Sequence, residues 1–262
     1  MVNKTASEMK FTRAIVRTPC RNMNKGLTSS NLEKPDYNNA LEQHHEYIKA
    51  LKYCGLEVTV LPADERYPDS AFVEDTALLT PHCAVLTNPG AESRKGEVAI
   101  IRDTIADCYK RVETIKPPGT VEGGDIMMVG NDFYIGLSGR TNEAGANQMR
   151  RILRHYGMNG ITINVNEALH LKTGSSYIEN NCLLLTKEFR KEPKFRLFEQ
   201  LEVSSDEAYA ANSVWINERV LVPHGFPKTK ALIESAGWET VVIDTSEFRN
   251  VDGGLSCLSL RF

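Results

Sequence analysis

A helix ended by glycine and followed by a short strand recurs along this chain of 262 residues. In each copy, apolar residues repeat at helical spacing before the glycine, and strand-like alternation follows it. Three such units occupy residues 37–60, 142–165 and 229–243. The glycines that end their helices are Gly55, Gly157 and Gly237. A fourth helix is predicted over residues 98–112, which keep the helical spacing but lack the glycine.

Hairpins are predicted between these units. They occupy residues 76–86, 126–135, 177–185 and 214–222. From Asp75 to Asp125 the chain advances 50 residues, and a period of that size is typical of a propeller or another repeat array. The strands at residues 11–18 and 257–262 have no hairpin partner in sequence, so we expect them to pair with each other. That pairing would close five ββαβ units into a ring without exposed sheet edges.

Composition excludes several classes of function. A net charge of −3 gives no general attraction to nucleic acid or to an anionic membrane. The apolar runs are too short to span a bilayer, and the polar start does not resemble a secretory signal. The cysteines lack C-x-x-C spacing, which favours reduced thiols, no zinc site and a cytoplasmic location. Oligomeric state is left open, with a homodimer as one candidate.

Four loops between a strand and its hairpin carry the residues with chemical potential. They are residues 72–75, 122–125, 170–176 and 252–257. In a ring of equivalent units such loops emerge at one end and converge on the axis. They would bring together Cys257, His170 and Glu122, the parts of a thiol nucleophile with an acid/base partner.

A structural interpretation competes with each of these assignments. Most cysteines are buried packing residues, and we interpret Cys20, Cys54, Cys108 and Cys182 in that way. Cys257 differs because it follows Gly253-Gly254 at the predicted site end of a strand. His170, taken alone, is also compatible with a satisfied core or surface histidine.

The motifs resemble those of the dimethylarginine dimethylaminohydrolase family, and the resemblance covers essentially the whole chain. Acid-Gly-Gly-Asp at 122–125 and Gly-Gly-Leu-Ser-Cys at 253–257 are shared more widely, by arginine deiminases and amidinotransferases. Pro-Asp-Ser at 68–70 and Phe-Val-Glu-Asp at 72–75 point more narrowly to the dimethylarginine family. The other matching segments are Gly26-Leu27, Gly139-Arg140-Thr141-Asn142 and His170-Leu171-Lys172-Thr173.

The resemblance implies a fold and a reaction. The fold is a five-bladed α/β-propeller, or pentein, in which residues 1–262 form a single catalytic domain and residues 1–10 a flexible lead. The reaction is hydrolysis of the guanidine C–N bond of a methylated arginine to citrulline. Cys257 would be the nucleophile, His170 the acid/base and Glu122 the residue that orients them. The resemblance implies no cofactor and no metal.

The resemblance also implies a set of substrate-binding residues. They are Leu27, Asp69, Phe72, Glu74, Asp75, Arg94, Arg140 and Val251. Arginines suit the substrate carboxylate and acidic residues suit its guanidinium. Adjacent residues of an extended strand face opposite sides, so we expect only one of Glu74 and Asp75 to point into the pocket unless the backbone twists. The loop around Arg94 is flanked by glycines and suits a movable lid.

Three alternatives remain open on sequence grounds. The same chemistry on free arginine would make a deiminase, and an amine acceptor would make an amidinotransferase. A propeller-like scaffold that binds a partner without catalysis is a more distant alternative, and the joint presence of Cys257, His170 and Glu122 argues against it.

Overall fold

Five three-stranded sheets make up the structure, a computed structural model that describes residues 10–262. In chain order the strands are β1 (Arg13–Arg17), β2 (Glu57–Leu61), β3 (Ala77–Leu79), β4 (Ala84–Leu86), β5 (Val112–Thr114), β6 (Ile126–Val129), β7 (Asp132–Leu137), β8 (Asn159–Asn164), β9 (Ser175–Tyr177), β10 (Cys182–Leu185), β11 (Glu199–Glu202), β12 (Val214–Ile216), β13 (Arg219–Pro223), β14 (Glu239–Ile243) and β15 (Leu260–Arg261). The helices are α1 (Tyr37–Tyr53), α2 (Glu97–Cys108), α3 (Glu143–His155), α4 (Leu171–Gly174), α5 (Pro227–Ser235) and α6 (Ser246–Arg249).

Every sheet has the same internal order. The sheets are β3-β4-β5, β6-β7-β8, β9-β10-β11, β12-β13-β14 and β15-β1-β2. In each, the first two strands pair antiparallel and the third is parallel to the second. A parallel pair requires a crossover connection, which α1, α2, α3 and α5 provide. In the third sheet along the chain, β9-β10-β11, that crossover contains only the 3₁₀ turn Pro193–Phe195.

The chain ends share one sheet. Ala14 of β1 pairs with Arg261 of β15, and Ile15 pairs with Leu260. The pairing predicted for the two terminal segments is therefore present. The predicted flexible lead, residues 1–10, lies outside the described residues except for Lys10.

Most predicted helices and hairpins are present, but three details of the sequence prediction are wrong. The helix predicted over residues 98–112 ends at Cys108, because Tyr109 turns to extended backbone and Val112 then pairs with Ala84 in a strand. Strand β11 was not predicted, since only one of its residues is buried and the apolar pattern is weak. Cys257 does not begin a strand. It lies in a 3₁₀ turn, in which its amide donates to the Gly254 carbonyl at 3.2 Å.

A short helical turn precedes the first strand of every sheet. These turns are Val73–Thr76, Gly123–Asp125, Leu171–Gly174, Ser205–Ala211 and Ser256–Leu258. They occupy equivalent positions in the repeat, as the sequence predicted for four of them. Among residues 10–262, none of the helices combines the length and apolarity needed to cross a membrane.

Tyr47 connects the outer helix α1 to the last of these turns. Its side chain is fully buried, and its hydroxyl donates to the Leu255 carbonyl at 2.9 Å and lies 2.7 Å from Ser259 Oγ. Leu255 and Ser259 flank the turn that contains Cys257. The packing of α1 thus fixes the backbone on both sides of that cysteine.

Replacing Tyr47 with Phe should lower the free energy of unfolding by about 1–2 kcal/mol, because the buried Leu255 carbonyl loses its donor. Chemical denaturation monitored by circular dichroism measures the change. Tyr53→Phe is the matched control on the same helix, since Tyr53 is 61% exposed. Equal stability of the two variants would contradict the role given to the Tyr47 hydroxyl.

Candidate active site

A cavity at one end of the sheets collects nearly all of the predicted site residues. It is lined by Cys257, His170, Glu122, Asp75 and the predicted substrate-binding residues other than Glu74. Leu169, Asp252 and Gly253 also line it and were not predicted. We refer to this space as the Cys257 cavity.

His170 and Glu122 form a direct pair in this cavity. His170 Nε2 lies 2.7 Å from Glu122 Oε2, and both side chains are buried. The other oxygen of Glu122 accepts the Ala91 amide at 3.1 Å and lies 3.5 Å from Arg140 Nη1. Below the pair, the buried carboxylate of Asp125 accepts the Leu171 amide at 3.0 Å. This bond fixes the start of α4 and therefore the backbone next to His170.

The charge of His170 is set by its acidic neighbours. Burial alone would lower the pKa of His170, but the charge of Asp75, the hydrogen bond to Glu122 and the charge of Asp125 together raise it to about 9. Since this value exceeds neutral pH, the imidazole is protonated at pH 7. His170 can therefore act first as a general acid.

Asp75 is a buried carboxylate held by two donors. Its Oδ1 accepts the Gly124 amide at 2.9 Å, and its Oδ2 accepts Arg94 Nη1 at 2.5 Å. Burial alone would raise the pKa of Asp75, but Arg94 and His170 hold it below its ordinary value. Gly124 is required here, because a Cβ would lie 2.7 Å from His170 Nδ1.

Arg94 is more constrained than its predicted role in binding the substrate carboxylate suggests. Besides Asp75, its guanidinium donates to Glu97 Oε2 at 2.7 Å and to the Phe72 carbonyl at 2.8 Å. Its side chain is only 5% exposed, whereas that of Arg140 is 24% exposed. Arg94 lines the cavity while fixing Asp75, and Arg140 is the more accessible of the two cations.

The structure does not bring Glu74 into the Cys257 cavity. Its carboxylate accepts Lys172 Nζ at 2.5 Å and Ser256 Oγ at 2.7 Å. These side chains border a second cavity, of about 120 Å³, which also contacts Asn212 and Arg261. Although residues 73–76 form a 3₁₀ turn rather than a strand, the adjacent Glu74 and Asp75 still face opposite sides. Asp75 is therefore the member of the pair that lines the Cys257 cavity.

Cys257 is protonated at neutral pH in this environment. Burial, followed by the negative charges of Glu74 and Asp75, raises the pKa of its thiol to about 12. The Gly254 amide, which donates to Sγ at 3.4 Å, and Lys172 act in the opposite direction. A cation bound beside Sγ would lower this pKa and generate the thiolate.

The mouth of the cavity is formed by the segment that begins at Gly26. The Leu27 amide donates to both oxygens of Asp69, at 3.0 and 3.2 Å, and the Leu27 side chain is 40% exposed. Burial raises the pKa of Asp69. Further along, the Ser29 amide donates to Asp252 Oδ2 at 2.6 Å, which ties this segment to the loop before Cys257.

Sequence reasoning missed the supporting residue Asn212. Its buried side chain contacts the backbone of Lys172 and of Ser256, and so lies beneath the turns that carry His170 and Cys257. The loop that ends at Asn212 has no cysteine, histidine or Gly-Gly pair, so it gave no chemical signal. The only indication in the sequence was its position. Asn212 follows the turn before β12, which is equivalent to the turns that carry the predicted site residues in other repeats.

Three side chains that line the Cys257 cavity carry atoms that could coordinate one metal ion together. The nearest ligand atoms of Asp75, Glu122 and His170 lie within 4.8 Å of one another. Metal binding would have to displace the proton that His170 shares with Glu122, so it competes with the hydrogen bond between them. The sequence predicts no metal, and this stays a prediction.

Comparison with known proteins gives consistent matches over the length of the chain. A family model described as N,N dimethylarginine dimethylhydrolase, eukaryotic, matches residues 19–190. The N(G),N(G)-dimethylarginine dimethylaminohydrolase of Pseudomonas aeruginosa is 53% identical over 253 residues, which cover 96% of this chain and 100% of the relative. The protein of the same name from Streptomyces coelicolor is 34% identical over 97% of this chain and 98% of its own.

Solved structures are also similar to this chain over almost its whole length. The Pseudomonas aeruginosa enzyme, as a mutant complexed with citrulline, has a TM-score of 0.96 at 52% identity and covers 97% of this chain and 100% of its own. A dimethylarginine dimethylaminohydrolase adduct with S-methyl-L-thiocitrulline has a TM-score of 0.95 at 52% identity, with 96% and 100% coverage. The N-terminal domain of a cyanobacterial arginine dihydrolase has a TM-score of 0.83 at 18% identity, covering 97% of both chains, and shows the fold alone.

Exchanging Glu122 for Gln should lower the pKa of His170 by at least about one unit, because it removes a negative charge 2.7 Å from the ring. NMR titration of ¹⁵N-labelled histidine measures the change directly. His44 is an internal control in the same spectra, since burial and the charge of His45 lower its pKa to about 4 and Glu122 is not among the causes of that shift. A His170 titration that is unaltered in the variant would show that Glu122 does not control its protonation.

Proposed function

The chain belongs to the dimethylarginine dimethylaminohydrolase family, and from this premise we propose that it hydrolyses the guanidine C–N bond of methylated arginine. Asymmetric dimethylarginine would give citrulline and dimethylamine, and monomethylarginine would give citrulline and methylamine. One observation carries the proposal. A thiol, a protonated histidine and the carboxylates of Asp75 and Glu122 line a single cavity, with His170 paired to Glu122 at 2.7 Å.

The first half of the reaction forms a covalent intermediate on Cys257. The substrate guanidinium lowers the thiol pKa, the proton passes to solvent, and the thiolate attacks the guanidinium carbon. His170 then gives its proton to the departing nitrogen as the C–N bond breaks. Dimethylamine leaves as a neutral amine, and Cys257 is left as an S-alkylthiouronium.

The second half releases citrulline. His170, now neutral, takes a proton from a water molecule that attacks the same carbon. The tetrahedral adduct collapses with cleavage of the C–S bond, and its hydroxyl proton passes to solvent. Cys257 is returned as the thiolate, and the carbon is left as a ureido group. Glu122 keeps the imidazole oriented through both halves, because its carboxylate accepts from Nε2–H in the charged ring and in the neutral tautomer that leaves Nδ1 as the base.

Two carboxylates suit the guanidinium of the substrate. Asp75 and Glu122 are both buried in the cavity, and planar guanidinium donors match carboxylate oxygens well. Phe72 and Val251 contribute buried apolar side chains to the same wall. An apolar wall favours a substrate with N-methyl groups over free arginine, which presents only polar nitrogens there.

The other end of the cavity suits an amino-acid group. Arg140 would bind the substrate carboxylate, with assistance from Arg94, since Arg140 is the more exposed cation. Asp69 lies where it can accept from the α-amino group, and the carbonyls of Leu27 and Val251 supply further acceptors.

We also propose that the five sheets close into a five-bladed α/β-propeller formed by one domain. The uniform strand order of the sheets and the pairing of β1 with β15 support this arrangement. Convergence of four turns on the Cys257 cavity is the functional consequence of such closure. A cytoplasmic location and a homodimer stay predictions.

Incubating the purified protein with asymmetric dimethylarginine should yield citrulline and dimethylamine in equal amounts. Free arginine should yield citrulline and ammonia at least about 100-fold more slowly, because it cannot fill the apolar wall. Cys257→Ser should lose turnover by a factor of at least about 1,000, since the alcohol is a far weaker nucleophile. Chromatographic quantification of citrulline, amine and ammonia measures all three.

The outcomes of this assay separate the remaining alternatives. Faster citrulline formation from arginine would make the protein a deiminase and overturn the choice of substrate. Full activity in Cys257→Ser would overturn the mechanism. No turnover of either compound by the folded protein would leave a binding scaffold as the better description.

Arg140→Ala should raise KM for dimethylarginine by about 10–100-fold, because a charge-assisted contact to the carboxylate is lost. The control is a dimethylguanidine that carries a plain alkyl chain in place of the amino-acid end. Wild type and variant should process that compound with equal kcat/KM. A comparable loss on the alkyl compound would instead show that Arg140 acts through Glu122, 3.5 Å away.

A further inference from the structure

Four residues form a ring of hydrogen bonds between the Cys257 cavity and the second cavity, with three bonds between side chains and one to a backbone carbonyl. Its members are Glu74, Lys172, Asn212 and Ser256, and we call it the floor ring. Asn212 Nδ2 donates to the Lys172 carbonyl at 2.7 Å and lies 3.0 Å from Ser256 Oγ. Ser256 Oγ donates to Glu74 at 2.7 Å, and Lys172 Nζ completes the ring by donating to Glu74 at 2.5 Å.

Three members of the ring are near neighbours in sequence of residues in the Cys257 cavity. Glu74 precedes Asp75, Ser256 precedes Cys257, and Lys172 lies two residues after His170. Side chains of adjacent residues face opposite cavities, so each turn presents one residue to the substrate and another to the ring. The ring therefore joins three separate turns directly beneath the reacting groups.

Asn212 is the member that binds both the nucleophile turn and the histidine turn. Its Oδ1 accepts the Ser256 amide at 2.9 Å while its Nδ2 donates to the Lys172 carbonyl. The fit is close, since a Cβ on Gly254 would come within 2.5 Å of Asn212 Oδ1. Asn212 is 6% exposed, so these bonds are made away from bulk water and hold a defined geometry.

We propose that Asn212 and Ser256 are positioning residues that hold Cys257 at attack distance from the guanidinium carbon and in register with His170. This inference rests on the proposed function, because it names residues that support the same reaction. Neither side chain lines the Cys257 cavity, so both act through the turns they hold. The fourth repeat supplies no reacting group, but its Asn212 helps to hold the turns that carry His170 and Cys257.

The ring also shields the nucleophile from a buried charge. The carboxylate of Glu74 is one of the charges that raise the pKa of Cys257, and Lys172 acts against it. Ser256 donates to the Glu74 oxygen that Lys172 does not contact. Removing the Ser256 hydroxyl would leave that oxygen without this donor close to the thiol.

The test uses three single alanine variants of the full chain and the double variant Asn212→Ala with Ser256→Ala. Asn212→Ala and Ser256→Ala each break the floor ring, and Ser213→Ala is the matched control. Ser213 is a buried serine on the same second cavity, and its hydroxyl donates to the Ala210 carbonyl three residues before it and not to a member of the floor ring. Circular dichroism and thermal unfolding establish that each variant is folded.

Steady-state kinetics on dimethylarginine separates positioning from general destabilisation. We expect kcat to fall about 10–100-fold in both ring variants, with KM changed by less than about threefold, because small displacements of reacting groups act on the chemical step. Ser213→Ala should keep its kcat within about twofold. The double variant should be about as slow as the worse single variant, because both changes break one network.

A second readout does not require turnover. The rate at which iodoacetamide alkylates Cys257 at fixed pH, followed by mass spectrometry, should fall at least about threefold in Ser256→Ala and stay unchanged in Ser213→Ala. If the wild-type protein does not hydrolyse dimethylarginine, the proposed function is wrong. The alkylation rate of Cys257 still tests the role of the floor ring in that case. If Asn212→Ala does not fold, the alkylation rate in Ser256→Ala still tests the inference.

Three results would overturn the inference. One is a kcat within about threefold of wild type in folded Asn212→Ala and Ser256→Ala. Another is an equal loss in Ser213→Ala, which would indicate a general effect of the second cavity. A third is independent, multiplicative loss in the double variant together with unchanged alkylation of Cys257.

Discussion

Burial of several carboxylates at the meeting point of the turns is the constraint on which this structure depends. An ionised carboxylate out of water is costly unless charged partners or amide donors surround it. Asp75 is satisfied by Arg94 and Gly124, and Glu74 by Lys172 and Ser256. Because Gly124, Lys172 and Ser256 come from three repeats other than the one that carries Glu74 and Asp75, satisfying the acids fixes how the repeats are placed against one another.

The same acids raise the pKa of His170 and the pKa of Cys257. Asp75 helps to raise the pKa of His170 to about 9 and, with burial and Glu74, helps to raise that of Cys257 to about 12. This negative field keeps the His170 imidazole charged and the Cys257 thiol neutral. A guanidinium entering the field is attracted by it and offsets its effect on the thiol, so substrate binding and nucleophile activation depend on one source of charge.

Two of the short turns place side chains in both the Cys257 cavity and the second cavity. At Glu74-Asp75 and at Ser256-Cys257, neighbouring residues face opposite cavities, one for chemistry and one for support. A fold that presents several such turns can therefore carry reacting groups on a few repeats and supporting groups on others. Asn212, from a repeat without a reacting group, is the clearest supporting member.

The sequence by itself determined most of the elements, and it predicted the chemistry of the turns between them. Glycine-ended helices, hairpins and Gly-Gly loops are local patterns, so they predicted the repeats, the pairing of β1 with β15, and which turns would carry Cys257, His170 and Glu122. Tertiary structure alone decided the placement of Glu74 in the second cavity, the engagement of Arg94 with Asp75 and Glu97, and the role of Asn212. These depend on contacts between residues far apart in sequence. Which oxygen meets which donor is settled only when distant turns pack together and each buried charge must find its partner.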